Sequence, residues 1–230
     1  MANNVEFASN GGTAGGYLAL PASGRGPGVL VLQEWWGLDP SLKIMVDRLA
    51  EAGFVALAPD LYHGELAAHD EMDKAGKLMN SLPPDRAARD MSGAIDFLAG
   101  HEAVTGDALG VTGFCMGGLL TMLIAAGRGD KIKAAVPFYG FPPPDMEPDW
   151  SGLTAVVRGH MAGNDDFFAP EAARALEAKL QGMGKDVQFT VHDGAGHAFM
   201  NPQNPLGNTD EALAAKCWAE ATAFLHSQLD

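Results

Sequence analysis

A chain of 230 residues, 47% of them hydrophobic, holds enough apolar material for one large core. α/β folds of this length are commonly one unit, so residues 1–230 are expected to form a single domain. The 15 basic and 29 acidic side chains leave a formal net charge of −14, a surface that repels nucleic acid and anionic membranes and excludes both as expected partners. The opening "MANNVEFASNGG" lacks a basic region followed by an apolar stretch. Nowhere does the chain approach the roughly 18 uninterrupted apolar residues of a membrane span, so a soluble, cytoplasmic protein is expected.

In chain order, Val5 to Phe7 and Gly16 to Leu20 read as a two-strand antiparallel edge around "ASNGGTAG". Then "GVLVL" (28–32) reads as a strand, Ser41 to Ala52 as a helix, "FVALA" (54–58) as a strand, and Glu65 to Met79 and Arg86 to Ala99 as helical stretches. "ALGVTGF" (108–114) is a strand running into a helix after Cys115, and "KAAVPFYG" (133–140) is another strand. The proline-rich "GFPPPDMEPDWSG" (140–152) is a loop over the sheet edge rather than a linker, because apolar strands resume at "TAVVRG" (154–159). A helix from Pro170 to Gln181, the strand "VQFTVH" (187–192) and a helix from Thr209 to Gln228 complete the chain. Near-continuous apolar strands separated by amphipathic helices specify an α/β fold: a mostly parallel, doubly wound sheet covered on both faces.

Ligands of such sheets sit beyond the carboxyl ends of the strands. Four loops reach that edge, "QEWWG", "FCMGG", "GNDDFFAP" and "DGAGHAFMN", and they offer Glu34, Cys115, Asp165 or Asp166, and His197. Nucleophile, acid, histidine is the chain order of the α/β-hydrolase fold, and Gly113-Phe114-Cys115-Met116-Gly117 has the form of its strained elbow, with sulfur in place of oxygen. The glycines are needed because strand and helix approach closely on either side of the apex. The helix N-terminus favours a thiolate or an oxyanion. His197 would take the thiol proton while a carboxylate orients its ring. Backbone N–H groups of Met116 and Trp35 would hold the oxyanion. Trp36, Tyr139, Phe141, Phe199 and Met200 lie in loops at the same edge and are candidates for an apolar pocket.

Taken together, "VLVLQEWWG", "GFVALAPDLY", "GFCMGG", "GNDDFFAP" and "GAGHAFMNP" make the chain resemble the dienelactone hydrolase family over essentially its full length. That resemblance implies an ester or lactone hydrolase working through an acyl-enzyme on Cys115, with His197 as base and no cofactor. It also implies a role for Glu34 in generating the thiolate, and a monomer acting on a small molecule, typically a carboxylated dienelactone in aromatic catabolism. Counting along the family's loop from Gly163 and back from Pro170 selects Asp166, with Asp165 as the alternative. The chain departs from the pattern in one respect. Asn201 stands four residues after His197, where family members carry a substrate-binding arginine, and residues 65–82 contain none. Arg86 and Arg89 are expected on a helix surface. A less charged ester is therefore the alternative substrate.

Two cysteines are too few for a disulfide framework and form no paired zinc pattern, so no metal is expected, and the spacing of His192 and His197 does not suggest one. Cys217, in "AAKCWAEA", reads as a core or helix-surface residue, and Asp60, in "PDLY", as a turn former. A thiol-redox protein and a non-catalytic binding protein on the same fold are the competing classes. The first lacks a resolving cysteine near Cys115 in sequence, and the second has no physical need of all four polar groups.

Overall fold

The computed structural model describes residues 2–9 and 11–230. Eight strands and six helices alternate: β1 (Ala2–Ser9), β2 (Gly12–Ala19), β3 (Gly26–Leu32), α1 (Pro40–Glu51), β4 (Val55–Pro59), α2 (Met72–Ser81), α3 (Pro84–Ala99), β5 (Val104–Phe114), α4 (Met116–Gly127), β6 (Ile132–Phe138), β7 (Val156–Asn164), α5 (Pro170–Gly182), β8 (Val187–Gly196) and α6 (Glu211–Leu229). The strands form one sheet in the order β1-β2-β4-β3-β5-β6-β7-β8. From β4 to β8 every neighbouring pair is parallel, while β1 and β2 form an antiparallel edge. This is the mostly parallel, doubly wound sheet expected from the alternation of elements.

Strand periodicity divides the core in two. Leu30 and Leu32 of β3 face the layer built from α3, α4 and α5, where Ile95, Leu120 and Leu180 are buried. Val29 and Val31 face α1 and α6, where Leu49, Cys217 and Leu225 are buried. At one strand end the Asp39 side chain caps α1 by accepting from the Leu42 N–H at 2.9 Å, an arrangement that contributes about 1 kcal/mol.

Several boundaries differ from expectation, most visibly in α2, β6, β7 and β8. The helix expected from Glu65 begins only at Met72, because the Ala67 N–H bonds the Trp36 carbonyl and the Ala68 N–H bonds the Glu71 side chain. β6 stops at Phe138 because Tyr139 turns to φ 35°. β7 and β8 run several residues further than their apolar runs, with a register shift between Ala162 and Asn164. Asp60 forms the expected turn, accepting from the amides of Tyr62 and Gly64.

Candidate functional site

β5 ends at Phe114 and α4 begins at Met116, so Cys115 alone makes the turn, at φ 56° and ψ −118°. A non-glycine residue held there stores roughly 1–3 kcal/mol of strain. The close approach around it requires glycine: a Cβ at Gly113 would lie 2.2 Å from the Gly117 carbonyl oxygen, and one at Gly117 would lie 2.2 Å from that of Leu32. The Cys115 carbonyl accepts from the amides of Gly118 and Leu119, which starts the helix. The backbone N–H groups of Met116 and Trp35, the two expected of an oxyanion hole, lie close enough to its sulfur to favour negative charge there.

His197 follows the end of β8 directly, and its Nδ1–H donates to Asp165 Oδ2 at 2.8 Å. This corrects the selection of Asp166. Asp165 is the first residue after β7, its side chain is fully buried, and its other oxygen accepts from the amides of Phe167 and Phe168. Asp166 faces solvent. Counting along the loop assumes a fixed length of turn, whereas the register shift beside Asn164 sets which aspartate points inward. The imidazole is packed between Phe167 and Phe168 on one side and Tyr139 on the other.

Glu34 is 8% exposed. Its carboxylate accepts from Asn201 Nδ2 at 2.7 Å and from the Tyr139 hydroxyl at 3.2 Å. Burial raises its pKa, and the bond from Asn201 and the nearness of His197 act in the opposite direction. Burial also pushes the Cys115 thiol well above its ordinary value. The charges of Glu34 and Asp165 add to this, while the Met116 and Trp35 amides oppose it. The resting sulfur is therefore a protonated thiol. Asn201, which stands where an arginine was expected, holds Glu34 in place.

A chamber of about 250 Å³ opens above the thiol, lined by Cys115, His197, Trp35, Met116, Phe167 and Leu206 among others. The five candidates for this pocket lie outside the chamber itself. Trp36 packs with Ala67 and Ala75 beneath the 65–71 turn, and Phe199 and Met200 are core residues under α1 and α6. Tyr139 is buried at Glu34, and Phe141 lines an adjoining groove instead. Apolar loop residues alternate between core and cavity, and the sequence does not say which way each turns. Phe167, Phe168, Leu119 and Leu206 line the chamber without having been singled out. Arg89 is exposed on α3, and Arg86 donates to the Leu61 carbonyl rather than reaching the chamber.

A second sulfur–imidazole cluster lies in the core. Cys217 Sγ is 3.4 Å from His192 Nε2, which is 3.1 Å from His160 Nδ1. These are the residues, among those described, whose ligand atoms converge closely enough to hold a metal ion, all within 4.8 Å. Burial pushes His160 down to about 4 and Cys217 up to about 12, so the rings are neutral and the thiol protonated. Nothing in the sequence signals this cluster, because its three members come from β7, β8 and α6 with no recognisable ligand spacing. No described helix is long and apolar enough to cross a membrane.

The dienelactone hydrolase family pattern matches residues 14–229. The chain belongs to that family. It is accordingly a hydrolase of the α/β-hydrolase fold, of the class that acts on ester and lactone bonds. Protein usf of Aquifex pyrophilus is 37% identical over the whole of both chains. A protein of Aquifex aeolicus, named provisionally a carboxymethylenebutenolidase, is 34% identical, also over the whole of both. A crystal structure from Klebsiella pneumoniae, described provisionally as a dienelactone hydrolase, superposes with a TM-score of 0.86 at 26% identity over 98% of each chain.

Proposed function

We propose that the chain hydrolyses esters or lactones through a thioester on Cys115. The observation that carries this reading is the convergence, at one chamber, of a thiol on a strained turn, two backbone N–H groups on its sulfur and an imidazole held by a buried carboxylate. Asp165 holds His197 through Nδ1, leaving Nε2 to exchange protons. Cys115 Sγ attacks the carbonyl carbon and its proton passes to His197 Nε2. The carbonyl oxygen becomes an oxyanion on the Met116 and Trp35 amides, a preorganised pair that needs no reorganisation as charge develops. The carbon–oxygen single bond then breaks, and the leaving alkoxide takes the proton from His197. In a lactone that alcohol remains tethered to the acyl group. Water, deprotonated by the same Nε2, attacks the thioester and releases the acid and the thiol.

Glu34 governs when the thiolate exists. Two buried acids close enough to influence each other do not both ionise readily. Glu34 therefore helps keep the resting sulfur protonated until His197 takes that proton as substrate is attacked. The test is intact-mass spectrometry during turnover of p-nitrophenyl acetate. An acetyl adduct mapped to Cys115, absent from Cys115→Ala, is expected; undiminished turnover by Cys115→Ala would overturn the reading.

A further inference from the structure

We infer that the groove beside the chamber is the seat of an extended, uncharged, apolar acyl group, so that the preferred substrates are medium- to long-chain acyl esters rather than compact carboxylated lactones. The inference rests on the acyl-enzyme reading above and adds to it the class of acyl group.

The groove encloses about 910 Å³ and shares Met79, Met116, Leu119, Phe167 and Phe168 with the chamber, so the two adjoin across these side chains. Its floor is α4, where Met116, Leu119 and Leu123 fall on one face at a spacing of three and four residues. At a rise of about 1.5 Å per residue, Met116 to Leu123 alone spans about 10 Å leading away from the nucleophile. α5 supplies a wall through Ala172 and Leu176, and the loop after β6 supplies Phe141 and the prolines.

Two observations choose the occupant. The first is charge. None of the described chamber-lining residues is lysine or arginine. The two cations that do line the groove are already neutralised, Lys179 by Glu147 at 2.6 Å and Arg128 by Asp96 at 2.7 Å. A substrate carboxylate near the thiol would lie in the field of Glu34 and Asp165, both of which already oppose a negative charge on the sulfur, and would find no cationic side chain of lysine or arginine to pair with. The second is direction. The leaving oxygen must lie within hydrogen-bond reach of His197 to be protonated, so the acyl portion points the other way. The groove floored by α4, which begins right after Cys115, is the apolar space that adjoins the chamber and can receive it.

The experiment is a chain-length series of p-nitrophenyl esters, acetate to octanoate, with kcat/KM measured on the full chain and on Ala172→Trp, which fills the groove from an exposed position on α5. kcat/KM is expected to rise by about three- to fourfold per methylene until the groove is filled. Ala172→Trp is expected to lower the octanoate-to-acetate ratio tenfold or more. A flat or falling series that still depends on Cys115 overturns the groove inference and leaves the mechanism standing. Retained turnover of both esters by Cys115→Ala overturns the mechanism instead. Sedimentation of the two proteins covers the other occupant: a dimer that Ala172→Trp dissociates makes the groove an interface between copies and overturns the inference.

Discussion

The molecule contains two sulfur–imidazole pairings with opposite character. Cys217 and His192 lie within 3.4 Å of each other, yet the sulfur sits inside a regular helix and is fully buried, and the imidazole leans on a second neutral ring. Cys115 and His197 share a chamber, the sulfur at φ 56° at a helix N-terminus and the imidazole against a buried carboxylate. Residue type and proximity do not tell these two sulfurs apart. The turn that exposes the sulfur, the amides that meet it and the acid behind the histidine do.

The largest expected difference is in turnover. Cys115→Ala should lower ester hydrolysis by about 10⁴-fold or more, whereas Cys217→Ala should leave kcat/KM within about twofold and cost only the stability of a trimmed core side chain. Asp165→Asn should follow, with a loss of about 10²- to 10⁴-fold as the histidine loses its oriented tautomer. Asp166→Asn, at an exposed position, should change activity less than about twofold, a small effect typical of surface substitutions. Steady-state kinetics of these four proteins tests both assignments, and equal losses for Asp165→Asn and Asp166→Asn would refute the choice of Asp165.

The core cluster should reveal itself in stability instead. His160 is held at about 4, below the 6.5 of an unperturbed ring. Between those values the unfolded chain binds the proton and the native chain does not, so stability is full above about pH 6.5 and declines as the pH falls toward about 4. At about 1.4 kcal/mol per pKa unit the decline reaches about 3 kcal/mol. Urea titrations at several pH values should show this slope reduced in His160→Phe, which keeps the ring stack with Phe138 and removes the titration. A slope identical in both proteins would assign the acid sensitivity to other groups.

The smallest effect expected is on the resting thiol. Glu34→Gln keeps the bond to Asn201 and removes the charge that raises Cys115, so alkylation of the sulfur by iodoacetamide at neutral pH should accelerate severalfold even as turnover falls. An unchanged alkylation rate would mean that the Glu34 charge does not restrain the thiol.

Local pattern reached far in this chain. The alternation of apolar strands with helices specified the sheet, and the glycines around Cys115 specified the elbow, because both are short-range constraints of backbone and packing. The site was less readable where it depends on register. Asp165 and Asp166 are adjacent and chemically identical, and only the β7–β8 irregularity turns one inward. Trp36, Phe199 and Met200 were candidates for the pocket but belong to the core, since loop aromatics at a strand edge satisfy either environment equally well. The cluster of His160, His192 and Cys217 was invisible for the converse reason: its members are spaced far apart along the chain and meet only through the packing of α6 on the sheet.

The loop after β8 brings both His197 and Asn201 to the site, and β8 is the last strand of the chain, at the far edge of the sheet. During synthesis the sulfur and its tight turn leave the ribosome well before the imidazole and the carboxamide that govern it. A nascent chain paused before Gly196 carries Cys115 without His197, and Glu34 without the amide that holds it. Under the proposed mechanism the site is complete only once the outermost strand of the sheet has docked.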